Sequence, residues 1–155
     1  MSDGIKVLDV SELTDYGKQI LETATKEMPK IARSFLKGEA NHLKNKAKKK
    51  AKGELKSFNN KPPKEGEINR EYLHNFTSGK VYPYGDTEYN IQVKNTAPHA
   101  HWIESGHNMV TIDGRTVGFI PGKHILENSA IEFESTFAKD IENKLAKKVI
   151  KELEK

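Results

Sequence analysis

Apolar residues recur along this chain with two periods, and each period predicts a different element. Ile20, Ala24 and Met28 stand four apart, followed by Ile31 and Phe35. A second row, Leu36, Ala40, Leu43, Ala47, Ala51 and Leu55, extends the stripe. Spacings of three and four put these residues on one side of an α-helix, and the Lys, Glu, Gln and Asn between them are mostly good helix formers. Pro29 interrupts the run, so it predicts either a kink in one long helix or the first turn of a second one. Gly53 and the segment NNKPPKEG at 59–66 end it, because Pro62-Pro63 cannot continue a helix. The predicted helix runs from about Asp15 to about Phe58. A weak alternation at 5–10, IKVLDV, predicts a short strand before it.

In the middle of the chain the period falls to two. KVYPY at 80–84 leads into a Gly-Asp turn, and TEYNIQVKN follows, with Tyr89, Ile91 and Val93 on one face and Asn90, Gln92 and Lys94 on the other. Further on, MVTIDGRTVGF carries Asp113-Gly114, a two-residue hairpin signal in which both positions require positive φ. Pairing across that turn sets Val110 opposite Val117, with Ile112 and Phe119 on the same face.

From Gly122 to the end the helical period returns in Leu126, Ala130, Phe133, Phe137, Ile141, Leu145, Val149 and Leu153. Pro121-Gly122 marks its start, and the lysine-rich last turns suit the negative end of a helix dipole. About 30 residues at about 1.5 Å each make a rod about 45 Å long. That exceeds what a core of this size needs, so the last turns are expected to project toward another subunit. The order of long helix, small antiparallel sheet and long amphipathic helix predicts an α+β fold. No repeat or linker divides it, so residues 1–155 are expected to form one domain, with 1–14 and the 59–66 loop less ordered.

Composition narrows the function classes. The 155 residues suit one core of ordinary size. With 35% hydrophobic and 31% charged residues the chain is rich in surface, as in a subunit that neighbours complete. It has no cysteine, which excludes disulfides and thiolate metal sites. No apolar run approaches the roughly 20 residues of a membrane span, and the acidic, polar N-terminus does not read as a secretory signal, so a soluble protein is expected. The net charge of +4 is unevenly spread: Lys44, Lys46, Lys48, Lys49, Lys50, Lys52 and Lys56 face the single acid Glu54 between positions 41 and 56.

Two stretches carry candidate chemistry. APHAHWIESGH at 97–107 packs His99, His101, Glu104 and His107 together. On a strand, His99 and His101 would share a face as a His-x-His metal pair, with Glu104 and His107 or His124 completing the set. The segment approaches the cupin metal pattern, but Glu104 follows His101 too closely and the chain has too few strands for that fold. The competing reading is a short helix begun by Pro98, capped by Asn95 or Thr96 and stopped by Gly106, with Ala100, Trp102 and Ile103 packing inward. That reading is adopted: no metal, no cofactor and no catalytic residue is expected. The lysine block reads either as a solvated helix face or as a contact for phosphates or an acidic partner, through Lys44, Lys46, Lys48, Lys49, Lys50 and Lys52. The second option makes a basic, non-specific nucleic-acid-binding module the main alternative function, ahead of a His/Glu metalloprotein. There is no nucleophile elbow, P-loop or dinucleotide fingerprint.

Taken together, a strand ending in VKNTAP, then HAHWIESGH, a hairpin, and GFIPGKHILENSAIEF opening a long helix resemble the tail-completion, or head–tail joining, family of tailed bacteriophages and prophages. The resemblance spans residues 70–145, and its matching positions are Asn95, Ala100, Ile103, Glu104, Gly106, His107, Pro121 and Ala130. The long lysine-rich helix ahead of the sheet is similar in kind. The family's Gly-x-Leu step before the first strand is only approximated by HNFTSGKV. The resemblance implies a structural virion protein, not an enzyme, that forms a ring, commonly hexameric, at the junction of neck and tail tube. It implies self-association, tail tube or terminator and neck or connector proteins as partners, and a place in the virion or a tail-like particle after assembly in the host cytoplasm. The hairpin and the ends of the long helices are the expected ring contacts.

Overall fold

The computed structural model describes residues 10–55, 67–85 and 88–155. It is α+β, as the periodicities predict. The N-terminal stripe folds as helix α1 (Val10–Glu22), one π-helical turn (Thr23–Glu27) and helix α2 (Met28–Glu54). Pro29 lies in the first turn of α2. Having no N–H, it cannot bond the carbonyl four residues back, and its ring would crowd that carbonyl in a regular helix. The π turn absorbs the misfit, with the Met28 N–H donating five residues back to Thr23. The helix thus begins before Asp15. Residues 5–9 of the expected strand and the loop at 59–66 lie outside the described residues, as does Phe58; Val10 itself opens α1.

The buried face of α2 consists of Phe35, Glu39, Ala40, Ala47 and Ala51, and Leu55 closes it. The small alanines let neighbouring elements approach closely. Leu36 and Leu43 of the predicted stripe are half-buried at its edge.

A short helix, α3 (Ile68–His74), and a strand, β1 (Phe76–Ser78), follow, neither expected from the sequence. The strand predicted for TEYNIQVKN is divided. β3 (Glu88–Asn90) pairs antiparallel with β2 (Tyr82–Tyr84), whereas β4 (Val93–Asn95) pairs antiparallel with β1. The half-buried positions still alternate, Ile91, Val93 and Asn95 against exposed Gln92 and Lys94. One segment serves two partners because each partner strand is only three residues long.

Helix α4 (Ala100–Ser105) then runs into a hairpin of β5 (Gly106–Val110) and β6 (Thr116–Pro121). The hairpin forms where Asp113-Gly114 predicts it, but with a different turn and register. Only Gly114 has positive φ. The Gly114 N–H donates to the Thr111 carbonyl and the Thr111 N–H to the Arg115 carbonyl, closing a three-residue loop. A bulge between Met109 and Val110 sets Val110 opposite Thr116, not Val117.

The C-terminal stripe forms helix α5 (Ile125–Asp140), a second π turn (Ile141–Leu145) and helix α6 (Ala146–Leu153). Its buried line begins Ile125, Ser129, Phe133, one position ahead of the predicted Leu126 and Ala130, and Ala130 is exposed. The last turns do not project. Leu145, Val149 and Leu153 are half-buried, α6 packs on α2, and the Gln19 amide donates to the Leu153 carbonyl at 3.4 Å. Doubling back lets one long stripe bury apolar surface within its own chain. The core centres on Ala51, Leu55, Tyr72, Leu73, Ile103 and Ile125, and Phe35, Phe133 and Phe137 continue it between α2 and α5.

Candidate functional site

Ile103, Glu104, Gly106 and Pro121, four of the residues singled out by the sequence resemblance, meet where α4, the hairpin and the entry to α5 come together. Asn95 sits at the end of β4. Its amide donates to the Tyr72 carbonyl at 2.6 Å, and its oxygen accepts the Ala97 N–H at 3.0 Å. It therefore ties the end of α3 to the turn before α4 and does not cap α4. That helix starts at Ala100, after His99, two residues later than Pro98 predicts. Ala100 and Ile103 face the core.

Glu104 points away from solvent-facing positions and toward the start of α5. Its two oxygens accept the Leu126 N–H at 3.1 and 3.3 Å, and one also accepts the Tyr72 hydroxyl. The residue at the α5 N-cap, His124, has left-handed backbone angles and supplies no side-chain cap. Glu104, 22 positions upstream of Leu126, provides the missing acceptor, and its charge suits the positive end of the helix dipole. The main chain reinforces the joint: the Lys123 N–H donates to the Ile103 carbonyl at 2.7 Å and the His124 N–H to the Glu104 carbonyl at 3.1 Å.

Two glycines allow this crossing. Gly106 (φ 82°, ψ 176°) ends α4 and opens β5, and a Cβ there would lie 2.4 Å from the Ile120 carbonyl oxygen. A Cβ on Gly122 would lie 2.1 Å from the Glu104 carbonyl oxygen. Pro121 pairs with Gly106 at the end of β6.

Tyr72 is fully buried and stacks edge-on against Phe76. Burial first, and then the hydrogen bond to Glu104 and its charge, push the phenol above the ordinary tyrosine range. The folded chain therefore keeps this proton where the unfolded chain loses it. Stability from this group is complete below the ordinary pKa of about 10 and falls as pH rises past it. The urea midpoint should fall more steeply between about pH 9 and about pH 11 in the wild type than in Tyr72→Phe. Equal slopes would show that Tyr72 is not the group responsible.

The three histidines of 97–107 gather around Trp102. His99 stacks on the indole at 4.2 Å, His107 lies tilted at 5.3 Å, and His101 meets it edge-on at 5.6 Å. Among the described residues, His99, His101, Glu104 and His107 do not form a group of three potential ligand atoms within 4.8 Å. Glu104 is instead engaged with Tyr72 and Leu126. The lysine block also divides. Lys50 pairs with Glu132 of α5, Lys46 lies 3.7 Å from the same carboxylate, and the Lys50 ammonium holds Glu132 below the usual carboxylate range. Lys44 is half-buried, whereas Lys48, Lys49 and Lys52 are exposed.

A family model described as "Bacteriophage HK97-gp10, putative tail-component" matches residues 16–106, more than half of the chain. The chain belongs to this family. No curated protein and no solved structure matches it significantly. In this HK97-gp10-like chain the match extends from α1 to the glycine that ends α4. It contains Asn95, Ala100, Ile103, Glu104 and Gly106; His107, Pro121 and Ala130 lie beyond it. The sequence resemblance spans 70–145, so the two overlap at the joint while the family match takes in the long helical half. A tail component is a structural part, which fits a joint whose carboxylate serves as a helix cap.

Reading the sequence alone misses Tyr72, although Ile68, Tyr72 and Phe76 stand four apart. Gly122 is legible only as the entry to the last helix, because its close approach is to a backbone 18 residues away. Among the described residues, no helix is long and apolar enough to cross a membrane.

Proposed function

We propose that this tail component is a ring-forming subunit at the head–tail junction, between neck and tail tube, and that it associates with copies of itself through the β5–β6 hairpin. The observation that carries this reading is the hairpin's surface. Met109, Val110, Ile112, Val117, Phe119 and Ile120 are all exposed, with Ile112 at the tip. Phe119 and Ile120 occupy opposite faces, so apolar side chains are exposed on both. A two-stranded ribbon is marginal in water by itself, and a contiguous apolar patch of this kind marks a surface that a partner covers. Insertion of the hairpin against a different surface of the next copy is a heterologous contact, the type that closes rings. Tail tube or terminator proteins on one side and neck or connector proteins on the other are the expected partners, in a particle assembled in the host cytoplasm. One domain over residues 1–155 is part of this reading.

Native mass measurement over a range of concentrations tests it. Ile112→Asp and Val117→Asp should each weaken self-association or partner-dependent assembly by at least about tenfold while changing monomer stability by less than about 0.5 kcal/mol. A wild-type chain that stays monomeric with and without tail proteins overturns the proposal, as does unchanged assembly in both variants. A second reading, contact with DNA in the channel, is supported by the exposed Lys48, Lys49 and Lys52. It requires salt-sensitive binding that their joint replacement by Glu abolishes.

A further inference from the structure

Away from the joint and the hairpin, α2 buries an acid that neither uses. Glu39 is 4% exposed, and among the described residues its Oε2 has no hydrogen-bond partner. His42, one turn further along α2, lies 3.6 Å from its other oxygen. Asp140, the last residue of α5, completes a group: one ligand atom from each of Glu39, His42 and Asp140 lies within 4.8 Å of the others. The Lys144 ammonium, from the second π turn, sits 2.7 Å from Asp140 and 3.4 Å from Glu39. A buried carboxylate beside a second carboxylate is unfavourable as a pair of charges unless the two share a proton or a cation accompanies them. Lys144 only partly meets that need, since it leaves Glu39 Oε2 without a partner.

We propose that Glu39, His42 and Asp140 form a binding site for a zinc-like divalent transition-metal ion, which the Lys144 ammonium replaces when the metal is absent. The ligand types fit. One imidazole and two carboxylates suit zinc and its neighbours, whereas magnesium and calcium favour oxygen-only sets with more ligands. The geometry fits as well. Residues three apart on a helix share a face, so Glu39 and His42 present their ligands together, and α5 brings the third. Tetrahedral bonds of about 2.1 Å place ligand atoms about 3.4 Å apart; the Glu39–His42 pair is already at 3.6 Å, and no pair in the group lies beyond 4.8 Å. Three protein ligands leave the fourth position to water. Lys144 can withdraw, because its side chain is 45% exposed and leads to solvent. A bound ion would cross-link α2 to the end of α5, where the helix changes register.

The test uses the full chain without an affinity tag, stripped with chelator and titrated calorimetrically with zinc chloride and, separately, magnesium chloride. Wild-type protein should bind one zinc ion per chain and no magnesium. His42→Ala and Asp140→Asn should each weaken zinc binding by at least about tenfold, and Lys144→Met should strengthen it by about tenfold because it removes the competing cation. His42 is exposed and Asp140→Asn is conservative, so circular dichroism should show both variants folded. No zinc binding by the wild type overturns the proposal. Binding unchanged in His42→Ala and Asp140→Asn does so too, since it assigns the ion to other histidines. A Lys144→Met variant that binds no more tightly overturns the exchange between ammonium and metal.

Discussion

Gly106→Ala is expected to destabilise the fold by about 3 kcal/mol or more. Its φ of 82° and ψ of 176° lie in a region that essentially only glycine occupies. Space compounds the strain: the new Cβ would meet the Ile120 carbonyl oxygen at 2.4 Å, the Gly122 nitrogen at 2.7 Å and the Phe119 ring at 2.7 Å. Two of these neighbours are backbone, so relief requires the start of β5 to separate from the end of β6 and from Gly122, the residues that lead into α5. Gly114→Ala is the natural control. Its φ of 84° is similar, yet nothing lies within 4 Å of the added Cβ, so it should cost only about 1 kcal/mol. Urea unfolding of the two variants separates conformational strain from crowding. A Gly106→Ala protein as stable as Gly114→Ala would mean that the crossing is not tightly packed.

Glu104→Ala should cost about 2–4 kcal/mol, through loss of the helix cap and the exposure of two unpaired donors. The Leu126 N–H and the Tyr72 hydroxyl both lose their acceptor, and Tyr72 is fully buried, so water does not readily replace it. Glu104→Gln keeps an acceptor but loses the charge that strengthens both bonds and suits the helix dipole, so about 1 kcal/mol is expected. A double-mutant cycle with Tyr72→Phe checks the mechanism. The two substitutions share one hydrogen bond, so their effects should fall short of additivity by about 1 kcal/mol or more. Strict additivity would place Tyr72 and Glu104 in separate roles.

The joint was partly legible in the sequence. Gly106 as a helix stop, Ala100 and Ile103 as packing positions, and Asn95 and Glu104 as marked residues all follow from local spacing or resemblance. What Glu104 does was not legible. Periodicity treats a carboxylate on the polar side of a short helix as solvated, and it cannot see a backbone N–H 22 residues away. Asn95 was assigned to the wrong partner for a similar reason: a helix start three or four residues downstream is the local use of such a side chain, whereas its amide reaches back to α3. Turn pairing places Val110, Val117, Ile112 and Phe119 on one face of the hairpin, but alternation marks strands without saying what covers them.

Residue spacing and composition by themselves determined the two long amphipathic stripes, the β period between them, the place of the hairpin turn, the helix breaks at proline and glycine, and the absence of thiol chemistry. Each depends on neighbours within a few positions, where backbone geometry alone relates spacing to direction. Only the tertiary structure decided how the last helix folds back on α2, which strands pair, that Glu104 caps a distant helix, and that Glu39, His42 and Asp140 meet. Those outcomes depend on which buried polar groups and apolar faces satisfy one another across long stretches of chain, and no local period carries that information.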